Sequence, residues 1–221
     1  NRTIKTSQIY ESDLEKNCMC GAASVKVCPV WSKINSHLLN NYQLSLESLD
    51  VNHPDDEIFN NHNLALFKSI AAVAGVSYVV DAAKEFKRVK RLQCIDELKV
   101  RPIHLRRSAH GYVYSGVKRK LPWWKYIRSY TLREIERNLF LAQKDHYFLQ
   151  YESMALHANY TTQSIMQWLD LPFDPNQLNW SENKQHLIAG NHMRFNNSAA
   201  IRLDEKWKKS LPLYLKVIIS I

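Results

Sequence analysis

Glycine and cysteine are both scarce here, with five of the one and four of the other in 221 residues. The glycines, Gly21, Gly75, Gly111, Gly116 and Gly190, are too dispersed to form a glycine-rich phosphate cradle. Four cysteines in a chain of this length do not make a disulfide framework. No apolar run is long enough to span a membrane, and neither an internal repeat nor a low-complexity segment is present. No signal peptide or anchor is visible, and the sequence opens at Asn1 without a methionine. The expected location is therefore cytoplasmic, or the Golgi lumen if an upstream segment carries a membrane anchor. Asn-x-Ser/Thr sequons at Asn1, Asn159, Asn179 and Asn196 matter only in a secretory setting.

Apolar residues make up 45% and charged residues 23%, a balance that supports a buried core. The length predicts one domain over 1–221, with an irregular insertion over 1–60 and an α/β core over 61–221. The net charge of +9 suits an anionic partner: nucleic acid, a phosphate-bearing cofactor, an acidic polysaccharide or an anionic membrane. Much of the excess lies in KEFKRVKR (84–91) and in 101–125, which contains GVKRKLPWWK. The first run reads equally well as a solvated helix face. Cys18, Cys20 and Cys28 cluster, but C-x-C followed by a single Cys lacks paired C-x-x-C spacing and a clear fourth ligand, so no metal ligand is assigned.

Periodicity predicts a short helix over Val30–Leu39, and another over His62–Ala74 ending at Gly75. The β-branched, aromatic run Val76–Val80 predicts a buried strand, and Lys84–Leu98 a helix crossing the sheet. A second strand is expected over Pro102–Leu105, followed by helices over Ala109–Lys118 and Thr131–Lys144 and a third strand over Tyr147–Tyr151. Helices over Tyr160–Leu169 and around Asp204–Ser210 complete the pattern. Alternating strands and helices predict a parallel sheet whose ligand lies at the carboxyl ends of its strands.

Those ends carry Asp81 and Lys84, then Arg106-Arg107-Ser108, then Glu152-Ser153. An ammonium at Lys84 suits a phosphate or sulfate as a point charge, although a solvent-facing lysine is the simpler reading. Arg107 at a strand end and Ser115 on the following helix offer a fork and a hydroxyl to a phosphate monoester. Here the sequence resembles the PAPS-dependent sulfotransferases (PAPS, 3'-phosphoadenosine 5'-phosphosulfate), whose 3'-phosphate site has an Arg at the strand end and a Ser at this spacing. The resemblance is to bacterial-type members, related to the tyrosylprotein and carbohydrate sulfotransferases. It extends in order through CMCG…CPVW, VVDAAK, LQYESM, WLDLPFDP and HLIAGNHMRF with IRLDEKW.

The resemblance implies a P-loop NTPase-like parallel sheet flanked by helices, with PAPS as co-substrate and PAP (3'-phosphoadenosine 5'-phosphate) as product. Lys84 would assist transfer, Arg107 and Ser115 would anchor the 3'-phosphate, and Gly190, Asn191 and Arg194 would close over the nucleotide. The acceptor would be a hydroxyl or amine of a carbohydrate, lipid, peptide or small alcohol, with no nucleic acid as partner and no membrane segment in this chain. Ala82 and Ala83 replace the family's two serines, and Ser108-Ala109-His110 depart from its residues after the arginine. The family's opening strand and glycine loop have no counterpart, so the first strand and phosphate loop are expected upstream, and these residues alone are not expected to catalyse. Two rivals share some of these features. A P-loop kinase would use Asp81 for magnesium, and a non-enzymatic polyanion binder would use the basic, tryptophan-rich stretch, where Trp123 and Trp124 otherwise pack a helix on the sheet.

Overall fold

A computed structural model of the protein describes residues 14–15, 17–82, 85–142, 144–179, 186 and 201–220. Two compact units divide them: residues up to Val100 together with His186, and residues from Arg101 to Asn179 together with 201–220.

The first unit is helical. Helix α1 (Pro29–Tyr42) begins with proline at its first position, where a missing N–H costs nothing, and ends at Gln43 in the left-handed region. Helix α2 (Asp56–Ala74) is capped by Asp55, whose carboxylate accepts from Glu57 N and Ile58 N, and stops at Gly75, φ 65°. Ile34 and Leu38 of α1 pack with Ala65 and Leu66 of α2, and Leu14, Val25, Leu46 and Leu49 close the cluster. The polar stretch read as an insertion thus carries a core of its own. Across the helix pair, the His37 Nδ1 and Ser69 Oγ atoms lie 3.0 Å apart.

Helix α3 (Phe86–Leu92) is shorter than the predicted 84–98, because the chain turns after Leu92. Leu92 and Ile95 still pack on Phe59 of α2. The basic run on α3 is put to structural use. Arg88 is buried, donating to Asp81 Oδ2 (2.7 Å), Val51 O (2.6 Å), Asn52 Oδ1 (3.0 Å) and Asn63 Oδ1. Arg91 donates to His53 O and Asp56 Oδ1 and lies 3.7 Å from the Phe59 ring centroid. Two arginines of the basic run therefore hold the 51–56 segment against α2. This accounts for part of the positive charge without any anionic ligand.

The second unit is mixed α/β. Strands β1 (Ile103–Arg106) and β2 (Tyr147–Gln150) pair in parallel, Ile103 with Tyr147 through Arg106 with Gln150. Helices α4 (Ala109–Val117) and α5 (Trp123–Leu141) connect them. After β2 come α6 (Tyr151–Leu156), α7 (Ala158–Trp168), a 3-10 turn (Pro175–Leu178), α8 (Lys206–Ser210) and α9 (Leu213–Ser220).

The strand expected over Val76–Val80 is not formed. Only β1 and β2 are strands among the described residues, and Val80 is 89% exposed. A short β-branched run becomes a strand only beside a ladder partner, and this one has none among the described residues. Helix α5 begins at Trp123, ahead of the predicted Thr131, and Trp124 is 51% exposed, with Lys125 Nζ 5.4 Å from its ring centroid. No described helix is long and apolar enough to cross a membrane.

Candidate functional site

The in-register parallel pairing brings the carboxyl ends of β1 and β2 side by side. Arg107-Ser108 leaves one strand where Tyr151-Glu152 leaves the other, and Ser108 N donates to Glu152 Oε1 at 3.0 Å. Ser108 then caps α4, its hydroxyl accepting from Gly111 N. A strand end feeding a helix N-terminus directs backbone N–H groups outward, the usual setting for an anion in an α/β unit.

Arg107 is held from several sides. Its Nη2 donates to Asp204 Oδ2 at 3.0 Å, its Cζ lies 4.9 Å from the Tyr151 ring centroid, and its carbonyl accepts from the Tyr130 hydroxyl at 3.0 Å. Tyr151 braces the opposing segment, donating to Arg202 O and accepting from Asp204 N. The Arg107 side chain also lies against Gly111. A Cβ built there would meet Nε at 2.5 Å, so the absence of a side chain lets the guanidinium rest on the first turn of α4. Ser115 follows Gly111 by four residues, which puts it on the same helix face one turn along. The fork and the hydroxyl singled out in the sequence thus share one face of α4.

Asp204 feels two opposing effects. Partial burial pushes its carboxyl up, but hydrogen bonds from Arg107 and Lys206 N outweigh that and leave it below the usual carboxylate range. Asp204 is therefore the carboxylate partner of Arg107. Burial, with the Glu134 charge, pushes the Tyr130 phenol up, so it stays protonated and donates. Beneath the strands, His104 is buried with Nε2 3.4 Å from Glu134 Oε2. Burial pulls its pKa down more than Glu134 raises it.

Lys84, Gly190, Asn191 and Arg194 lie outside the described residues. Asp81, the magnesium candidate of the kinase reading, is ion-paired with Arg88. Sequence reasoning missed Asp204, Tyr130 and the roles of Tyr151 and Glu152. The last two stand in the LQYESM segment, Tyr151 closing the predicted strand and Glu152 following it, and that position is the signal that points to them. Tyr130 stands in the middle of a long helix and carries no signal of its own.

The first unit holds a separate constellation. Ligand-type atoms of Cys18, Cys20, Cys28 and His186 all lie within 4.8 Å of one another. The Cys20 and Cys28 sulfurs are 3.7 Å apart, and Cys28 Sγ is 3.1 Å from His186 Nδ1. All four cysteines are free thiols. Burial pushes the Cys18 thiol up to about 11, whereas a backbone hydrogen bond from Ala22 lowers that of Cys20.

Comparison of the chain with protein-family models, curated proteins and solved structures gives no match.

Proposed function

We propose that this chain belongs to a PAPS-dependent sulfotransferase, built on a P-loop NTPase-like parallel sheet, and that Arg107 and Ser115 grip the nucleotide's 3'-phosphate. One observation carries the reading: Arg107 lies on the bare Gly111 turn at the carboxyl end of β1, with Ser115 on the same face of α4. A guanidinium donates through several N–H groups in a fixed fork, and a phosphate monoester offers oxygens enough to take both the fork and a hydroxyl. The 3'-phosphate would displace the Asp204 carboxylate, a weaker anion, from the same guanidinium.

In the reaction, the acceptor oxygen or nitrogen attacks sulfur in line, the bond between sulfur and the 5'-phosphate oxygen breaks, and PAP departs with that electron pair. The acceptor's proton passes to a base. The protein contributes position and positive charge. On this reading Lys84 would stabilise the oxygens of the transferring group, and Gly190, Asn191 and Arg194 would close over the nucleotide. The pairing of Asp81 with Arg88 weighs against the kinase alternative. The exposed Trp124 beside Lys125 favours the polyanion alternative, which the same experiment tests.

Calorimetric titration with PAP, beside AMP as a ligand without the 3'-phosphate, tests the reading. PAP should bind about tenfold or more tightly than AMP, and Arg107→Ala should remove that preference. Equal affinity for both ligands, or an affinity that tracks total charge and collapses with salt for any polyanion, would favour the rivals.

A further inference from the structure

We infer that Cys18, Cys20, Cys28 and His186 form a tetrahedral zinc site that knits the first unit together. Zinc bound at about 2.3 Å by each of two thiolates in tetrahedral geometry sets the sulfurs about 3.8 Å apart. Cys20 and Cys28 stand at 3.7 Å, and every ligand atom lies within 4.8 Å of every other. That separation encloses a single ion and is too tight for a polynuclear cluster. It is also far longer than a disulfide bond of about 2.05 Å, and a disulfide would satisfy only two of the four groups. Soft thiolates with one imidazole, and no position left for water, are the donor set of a structural zinc site.

The surrounding chain is shaped for this purpose. Cys18 and Cys20 flank Met19 in a tight turn closed by Gly21 N donating to Cys18 O at 3.0 Å, and Gly21 takes φ 93°, which strains any other residue. Cys28 is the N-cap of α1, whose first-turn N–H groups favour a thiolate. His186, 158 residues further on, is fixed through its carbonyl, which accepts from Trp31 Nε1 at 3.1 Å. Cys18 and Cys28 are buried and Cys28 N donates to the carbonyl of the core residue Val25, so the ion would sit at the edge of the core. Binding replaces thiol protons with the metal and ties a distant segment to α1. The site is independent of the sulfotransferase reading: it needs neither Arg107 nor a nucleotide.

The test is metal analysis of the full chain purified in reducing buffer without chelator, alongside the absorption spectrum of protein prepared with Co2+ in place of Zn2+. About one zinc per chain is expected, with a cobalt spectrum showing tetrahedral thiolate coordination. Cys28→Ser and His186→Ala should lose most of the metal, while Cys94→Ser, at an exposed thiol outside the cluster, should retain it. Because loss of a ligand can also unfold the unit, His186→Cys supplies the discriminating variant. It should keep one metal per chain and shift the cobalt bands toward those of four thiolates. Folded wild-type protein with negligible zinc, unchanged metal content in folded His186→Ala, or a Cys20–Cys28 disulfide found by mass spectrometry would each overturn the proposal.

Discussion

The two units bury their apolar side chains very differently. In the first, α1 and α2 interlock through Ile34, Leu38, Ala65 and Leu66, a second cluster forms around Phe59, and buried Arg88 donates to the Asp81 carboxylate, the Val51 carbonyl and the Asn52 and Asn63 amide oxygens. In the second, Leu105 of β1 is 57% exposed and Leu139 of α5 is 75% exposed, while Val113, Leu141 and Ile165 are buried. The unit with the more continuous core is the one read from sequence as an irregular insertion followed by a helix, a strand and a second helix. The unit that carries the parallel sheet and Arg107 keeps apolar surface in water. Burial removes apolar area from water at roughly 25 cal/mol per Å2, so the first unit draws more of its stability from packing. The second relies more on its polar braces, of which Arg107–Asp204 and Tyr151 are the best defined.

Matched truncations in the two units give the sharpest contrast. Phe59→Ala, in the first unit, should cost about 3–5 kcal/mol in chemical denaturation, since it empties a site where Leu92 and Ile95 converge and strips Arg91 of its ring partner. Asn63→Ala should cost about 1–3 kcal/mol, because it takes the Asn63 Oδ1 acceptor from an Arg88 N–H in a buried site.

Acidification should destabilise both units by a smaller amount. His62 and His104 are pulled below the ordinary histidine value, chiefly by burial, so each stays neutral in the fold. The unfolded chain protonates first as pH falls below about 6.5, so stability is full above that pH and declines below it until the folded-state value is reached. The melting temperature should follow that course, and His104→Leu should flatten the slope. At the bottom of the range, Leu139→Ala should change stability by no more than about 0.5 kcal/mol, as its side chain already faces water. A loss comparable to that of Phe59→Ala would erase the contrast between the units.

Much of this was legible in the sequence. Strands β1 and β2, helix α1 and the His62–Ala74 part of α2 with its Gly75 stop follow from local signals, namely β-branched and aromatic runs, apolar periodicity and a glycine end, whereas the start of α2 at Asp56 falls in the stretch read as irregular. Val76–Val80 carries the same local signal as a strand but has no ladder partner among the described residues, and no local pattern encodes a partner. The basic run 84–91 has the composition of an anion-binding face, and only its packing shows Arg88 and Arg91 turned onto the protein's own carbonyls. At the candidate site, the placement of Arg107 at the end of β1 and of Ser115 on the following helix was legible from their spacing. Asp204 was not, because nothing local ties it to a strand end 97 residues earlier. The fourth member of the cysteine cluster was hidden in the same way, since His186 is one of nine histidines and is brought to Cys28 only by the fold.

The Arg107 site is tested most directly by amide hydrogen exchange across the whole chain with saturating PAP, with AMP, and without ligand. PAP should slow exchange over 107–116, the turn from β1 into α4, and over 151–153, where Glu152 holds the Ser108 amide, with AMP leaving both near their free rates. Protection by PAP confined to other segments, or equal protection by the two nucleotides, would contradict a 3'-phosphate site on Arg107.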